Sequence, residues 1–171
     1  HFLGESLKSV VNEGKISCAE GTILLVAHQV KNSGKLEARR VDLAVGCDVL
    51  FQPKGSRHVF IRAAERLEVN EEEIGLENNG SIQAVVAELR ALGPYAKAIS
   101  HSGAIEATAM VERGGEVYLV AEEGICEVSG SVAAVCKEGV GGTVHVLGKR
   151  VHLLPETAID TSGAMGGGTL L

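Results

Sequence analysis

Apolar and polar residues alternate along this chain in a phrase that recurs five times. A small polar pair and a glycine lead into one alternating stretch, and a second alternating stretch follows a few residues later. The phrase reads NEGKISCAEGTILLVA from Asn12 and SHSGAIEATAMVERGGEVYLVA from Ser100, with further copies from Lys31, Glu77 and Val128. Alternation with period 2 is typical of a β-strand that buries one of its faces. Each copy is therefore predicted to supply two short strands separated by a corner.

The glycine in each phrase sets the period of the repeat. Neighbouring copies lie 20, 46, 23 and 27 residues apart, counted between Gly14, Gly34, Gly80, Gly103 and Gly130. A period in the twenties is typical of a stacked-repeat architecture, and the interval of 46 leaves room for two units.

Two strands with one apolar face are not stable alone, but identical units stacked along an axis bury that face and pair their backbones in parallel. The predicted fold is therefore all-β, a right-handed parallel β-helix (β-solenoid), since no apolar residue recurs every six positions as a left-handed hexapeptide helix requires. We expect residues 1–171 to form a single β-helix segment of a longer chain, a rod of about seven rungs and roughly 30 Å. The residues predicted to share one core face are Ile16, Leu36, Ile82, Ile105 and Val132.

Two segments interrupt the pattern. Residues 47–75 contain two strand-like stretches, 49–51 and 58–62, around a Pro-Lys-Gly-Ser turn, and they predict one enlarged rung. The stretch from Ser81 begins as a strand but continues with Val85, Val86, Leu89 and Leu92 at helical spacing before Gly93-Pro94. This spacing predicts a short helical insertion over about residues 85–92, packed on the side of the stack.

Asparagines occur one or two residues before the corner glycines, at Asn12, Asn32, Asn78 and Asn79. Asn hydrogen-bonds its own turn readily, so a structural role is favoured over ligand binding. In a parallel stack these side chains are predicted to form a ladder.

Composition supports a core of small, branched side chains. The chain has 22 Gly, no Trp, three Phe and two Tyr, and a net charge of -6. This charge, with no basic cluster interleaved with aromatic residues, argues against nucleic acid as a partner.

No apolar run approaches the roughly 20 residues of a membrane span, so no transmembrane segment is predicted. Any targeting signal is expected either to have been cleaved or to lie outside these residues.

Cysteines and histidines show no metal-ligand spacing. Cys18, Cys47, Cys126 and Cys136 form no CxxC pair and are interpreted as small apolar residues of the rungs, with a Cys126–Cys136 disulfide as the alternative. His145 and His152 lie on consecutive predicted strands around Gly148, so either they meet across that corner or they are solvent-facing strand residues.

Enzymes that cleave polysaccharides also use β-helices, so catalysis is the natural alternative function. Such sites need paired carboxylates on one face, or acidic residues with calcium. Only the loop residues Glu71 to Glu73 form an acidic cluster, whereas Asp42, Asp48 and Asp160 are isolated in the sequence. The prediction is a protein that is not an enzyme, with no catalytic, cofactor-binding or metal residue and no cofactor.

At the level of its repeats the chain resembles the filamentous haemagglutinin-type exoproteins of bacterial two-partner secretion systems. The resemblance lies in NEGKISCAEGTILLVAHQVKNSGKLEARRVDLAVGCDVLF, in YAKAISHSGAIEATAMVERGGEVYLVAE, and most specifically in GGTVHVLGKRVHLLPETAIDTSGAMGGGTLL.

The resemblance implies a secreted, adhesin-like shaft at the bacterial outer cell surface, exported by an outer-membrane two-partner secretion transporter. A host-cell or glycan receptor would be a further partner, contacted through the insertions at Lys54 to His58 and Glu68 to Glu73. The alternatives are a polysaccharide-active lyase or hydrolase, and the stalk of a contact-dependent toxin-delivery protein.

Overall fold

The computed structural model describes residues 2–3, 6–46, 48–51, 59–62, 73–93, 95–108 and 114–171. Within these ranges all regular secondary structure is β, and no helix is present. The strands are β1 (Phe2–Leu3), β2 (Ser9–Asn12), β3 (Lys15–Ala27), β4 (Gln29–Asn32), β5 (Lys35–Val45), β6 (Asp48–Phe51), β7 (Val59–Arg62), β8 (Ile74–Asn78), β9 (Ser81–Ala84), β10 (Val86–Ala91), β11 (Lys97–His101), β12 (Ala104–Ala107), β13 (Glu116–Val128), β14 (Ser131–Ala133), β15 (Thr143–Leu153), β16 (Ala158–Asp160) and β17 (Thr169–Leu170).

Most of these strands belong to one large parallel sheet, which runs in three columns. The first column is β2, β4, β8, β11 and the ends of β13 and β15. The second is the starts of β3 and β5, then β9, β12, β14 and β16. The third is the ends of β3 and β5, then β10, the starts of β13 and β15, and β17.

The chain thus visits the three columns in the same order again and again. We number these passes repeats 1 to 6, spanning 9–27, 29–45, 74–91, 97–121, 125–148 and 150–170. Each repeat pairs only with the repeats next to it, and this arrangement fits a β-solenoid. The sequence predicted only two strands per repeat. The strand that the prediction missed is the one in the first column, which precedes each corner glycine.

The three columns enclose one apolar core. The predicted core face is confirmed, because Ile16, Leu36, Ile82, Ile105 and Val132 lie in register along the second column. The last four are fully buried, whereas Ile16 is 37% exposed because repeat 1 has a described repeat on one side only. Alternation therefore identified the core correctly.

The predicted helical insertion over about residues 85–92 is wrong. Residues 86–91 form strand β10, which pairs in parallel with both β5 and β13. The apolar residues look helical in spacing because a corner at Val85 shifts the phase of alternation: Ile82 points inward before the corner, and Ala87 and Leu89 after it. Two strands joined by one corner residue thus imitate a helix.

An enlarged rung is predicted over 47–75; the described strands between repeats 2 and 3 lie outside the parallel sheet. Strands β6 and β7 form an antiparallel hairpin, and β1 pairs antiparallel with β6. The strands predicted at 49–51 and 58–62 are thus confirmed in the ranges of β6 and β7, whereas the Pro53 to Ser56 turn and His58 lie outside the described residues. We call β6 and β7 the inserted hairpin.

A ladder of buried amides runs through the first column. The Asn12 side chain donates to Asn32 at 2.8 Å and Asn32 donates to Asn78 at 2.7 Å. His101 occupies the same position in repeat 4, with its Nδ1 3.0 Å from the Asn78 amide nitrogen. We call these four residues the amide ladder. The predicted asparagine ladder is confirmed except at Asn79, which is exposed and bonds Glu77 and Ser102.

The corner glycines stack directly on one another, and this explains the repeated phrase. A Cβ atom on Gly80 would lie 2.1 Å from the carbonyl oxygen of Gly34, and one on Gly103 would lie 2.0 Å from that of Gly80. Each of these oxygens accepts a hydrogen bond from the next repeat, such as Ser81 N to Gly34 O at 2.9 Å. Only glycine leaves space for this approach of one backbone to the next.

We therefore expect Gly80→Ala to lower the free energy of unfolding by about 3 kcal/mol, because backbone atoms cannot turn away from the added methyl group. Gly14→Ala is the matched control, since no atom lies within 4 Å of a Cβ at that corner. Urea denaturation followed by circular dichroism measures both. Equal losses in the two variants would contradict the role of the glycine stack.

Candidate functional site

The inserted hairpin lies over the outer face of the third column and changes the environment of that face. Strand β7 lies against β5 and β10, and Val49 of β6 packs with Ala44 and Leu92 in a small apolar cluster. Val26 packs against the same cluster. A surface that would otherwise face solvent is thereby covered between repeats 2 and 3.

Two buried carboxylates lie on the same outer face of β5 and β10 as Ala44. Asp42 and Glu88 occupy equivalent positions of neighbouring repeats, paired in register, and both are buried, with relative exposures of 4% and 0%. Carboxylates are rarely buried to this degree unless they are paired with cations. Both of these carboxylates meet arginines.

The two arginines connect the carboxylates into one network. Arg40 donates to Asp42 at 2.7 Å and to Glu88 at 2.6 Å. Arg90 donates to the other oxygen of Glu88 at 3.0 Å and to Glu122 at 2.6 Å. We call these five residues the charge network. Its charges alternate in sign, so each buried carboxylate has compensation within hydrogen-bond distance.

A second polar cluster closes the base of the insertion. The Tyr95 hydroxyl donates to the backbone oxygen of His28 at 2.6 Å, and His28 Nε2 lies 3.9 Å from a carboxylate oxygen of Glu73. Gln29 donates to the same carboxylate oxygen at 3.1 Å. His28 and Tyr95 are both 5% exposed. His28 precedes repeat 2, Glu73 precedes repeat 3 and Tyr95 precedes repeat 4. We call these three residues the latch, because their contacts join the starts of three repeats.

Outside the hairpin the third column presents an aromatic pair. Tyr118 follows Glu88 in register, and His145 follows Tyr118. Their rings meet edge to face, with centroids 5.1 Å apart, and the Tyr118 hydroxyl donates to Glu116 at 3.1 Å. His152 lies in the first column, in register with Glu127, and is exposed. His145 and His152 therefore project from different columns, and the solvent-facing interpretation of His152 is confirmed.

The cysteines divide by position. Cys126 and Cys136 are free and buried, which supports their interpretation as small apolar residues over the disulfide alternative. Burial raises the pKa of the Cys126 thiol to about 12, so this thiol is unreactive. Cys18 is exposed in repeat 1, contrary to that interpretation, and Cys47 lies outside the described residues.

In the arrangement observed, the charged groups of this region bind one another. Asp42 and Glu88 form a carboxylate pair, as a polysaccharide-cleaving site would require, but both are closed off from solvent and bound by arginine. No group of three or more potential metal ligands assembles in the part of the chain that the structure describes. The loops predicted to contact partners, Lys54 to His58 and Glu68 to Glu73, lie outside the described residues except for Glu73.

Sequence reasoning missed the charge network and the latch. Asp42 seemed isolated because its partner Glu88 is 46 residues away, and only the pairing of β5 with β10 brings the two together. His101 was detectable, since it stands two residues before a corner glycine, where the three preceding copies have asparagine.

No protein-family model matches the chain, and no curated protein or solved structure matches it either. The resemblance to haemagglutinin-type exoproteins therefore stays a prediction.

Glu88→Gln should lower the free energy of unfolding by about 3 kcal/mol, because it keeps the shape but leaves two arginines facing a neutral amide in a buried site. Glu122→Gln is the matched control, since the Glu122 side chain is 35% exposed and its ion pair with Arg90 is worth at most about 1 kcal/mol. Thermal and urea denaturation compare the two. A smaller loss in Glu88→Gln than in Glu122→Gln would show that the buried part of the network is not the important part.

Tyr95→Phe should cost about 2 kcal/mol, because the buried carbonyl of His28 loses its hydroxyl partner. Tyr118→Phe removes a hydroxyl from a half-buried ring and should cost less than about 1 kcal/mol. Hydrogen exchange followed by mass spectrometry should show faster exchange around residues 28–29 and 73–75 in the Tyr95 variant only. Unchanged exchange there would mean that the latch does not hold the base of the insertion.

Proposed function

We propose that this chain is a right-handed parallel β-helix that serves as a structural and adhesive shaft segment of a secreted, cell-surface haemagglutinin-like exoprotein. The observation that carries the proposal is the unbroken parallel pairing of six repeats in three columns around a single core. Export by an outer-membrane two-partner secretion transporter, and a host-cell or glycan receptor, belong to the same proposal.

The pairing pattern suits a shaft because every repeat is bonded to its neighbours and each further repeat adds its own stability. Five junctions between repeats each contribute backbone hydrogen bonds in all three columns, and every junction buries its own layer of the core. In such quasi-one-dimensional proteins the stability is close to a sum over repeats and their interfaces. A shaft of this type lengthens by adding repeats without changing the layers already present.

The inserted hairpin suits the adhesive part of the function. It leaves the stack on one side only, between repeats 2 and 3, where Val49 packs against Ala44 and Leu92 of the stack. Insertions of this kind collect on one face of solenoids and commonly bind partners. The stack would hold the hairpin and its loops away from the cell surface.

Within the described ranges no helix is long and apolar enough to cross a membrane. The proposed location at the cell surface rests on the family resemblance and not on this finding.

Adhesion tests the proposal directly. Beads coated with the protein should bind epithelial cells or glycan arrays, and reversing the charges of Glu68, Glu71 and Glu72 to Lys should reduce binding by about tenfold, since rim charges control encounter and specificity. The matched control reverses Glu106 and Glu156, which are exposed and lie far along the chain from the insertion.

The outcomes separate the alternatives. Full adhesion by the insertion variant would show that the loops make no contact, and absence of adhesion by the native protein would refute an adhesive function. Release of oligosaccharides from acidic polysaccharide by the native protein, lost in Asp42→Asn and Glu88→Gln, would establish the enzymatic alternative instead.

A further inference from the structure

His101 terminates the amide ladder with both ring nitrogens engaged. Its Nε2 lies 3.1 Å from the backbone oxygen of Ser131, which can only accept, so Nε2 carries the proton. Its Nδ1 is then the unprotonated nitrogen, which accepts from the Asn78 amide at 3.0 Å. The ladder therefore specifies one neutral tautomer of the imidazole.

A second proton on the ring conflicts with this arrangement. A protonated Nδ1 would place a donor against the Asn78 amide donor, and the last bond of the ladder would break. The nearest acceptor is the backbone oxygen of Asn78 at 3.2 Å, which already accepts the N–H groups of Ser102 and Gly103 at 3.0 Å each. The charged ring can gain this acceptor only by competing with the corner bonds that join repeat 3 to repeat 4.

No charged side chain in the described chain compensates a charge on this ring. Glu77 of β8 and Glu127 of β13 point outward and pair with Lys31 and Lys97. Glu106 of β12 is also outside the stack, bonded to Gln83. The imidazole is 1% exposed, and burial lowers its pKa from the ordinary value of 6.5, against the opposing hydrogen bonds to the Ser131 and Asn78 backbone.

We propose that His101 makes the corner between repeats 3, 4 and 5 an acid-sensitive joint of the stack. The corner is closed while the imidazole is neutral and loosens when it is charged. Because the neutral form is favoured in the folded protein, its contribution to stability is complete above pH 6.5 and declines as the pH falls below that value toward the folded pKa. The other three ladder positions carry asparagine and have no such response.

His101→Asn is the decisive variant, because it continues the ladder with the residue that repeats 1 to 3 already use. Urea denaturation from pH 8 to pH 5 should show that acidification lowers the unfolding midpoint of the native protein more than that of the variant. The unfolding constants of the two proteins should diverge below pH 6.5, by at most about tenfold per pH unit for one proton. His152→Asn, on the exposed side of the first column, is the control and should behave as the native protein does.

Two measurements on the native protein make the test independent of the variants. Proton NMR titration of the His101 ring should give a pKa below 6.5, with nitrogen shifts of the Nε2–H tautomer above it. Hydrogen exchange, corrected for intrinsic rates, should lose protection at Ser102, Gly103, Ser129 and Gly130 as the pH falls. A ring pKa at or above 6.5, or equal pH dependence in the native protein and His101→Asn, would overturn the proposal.

Discussion

The close approach of one backbone to the next along the repeat axis is the constraint on which this structure depends. Carbonyl oxygens of the corner glycines accept hydrogen bonds from the following repeat at 2.8 to 3.2 Å. From repeat 2 to repeat 5, a Cβ on the corner glycine would lie only 2.0 to 2.2 Å from the glycine oxygen of the preceding repeat. The strand spacing also fixes the thickness of each core layer, and here the layers are filled mainly by Val, Leu, Ile and Ala.

The inserted hairpin shows how such a stack accommodates an exception. Covering the outer face of the third column removes water from side chains whose positions would be exposed in an uninterrupted solenoid. Asp42 and Glu88 keep polar side chains there, so the arginines at positions 40 and 90 must replace the lost hydration. This buried surface is polar because its residues lie on the outer face of the third column, which the insertion covers.

The local pattern of apolar and polar residues was sufficient to predict the core. It was insufficient to predict contacts that depend on which strands pair and in which register. Ile82 and Ile105 were predicted correctly because alternation within a strand is a property of a few neighbouring residues. The helix over residues 85–92 was wrong because one corner at Val85 changed the phase of that alternation. The Asp42–Glu88 pair and the Tyr95–His28 contact join residues 46 and 67 positions apart. Such contacts follow from the length of an insertion and the pairing around it, which composition and spacing do not determine.

The latch also orders the assembly of the protein in time. Tyr95 belongs to the corner before repeat 4, and its hydroxyl reaches His28 at the corner before repeat 2, across the whole of the insertion. Closing a segment of 67 residues costs more chain entropy than the shorter closures that stack one ordinary repeat on the next. During synthesis, the contact between these two corners can therefore form only after the inserted hairpin and repeat 3 have been made. The insertion is enclosed by a bond whose second partner is synthesised after it.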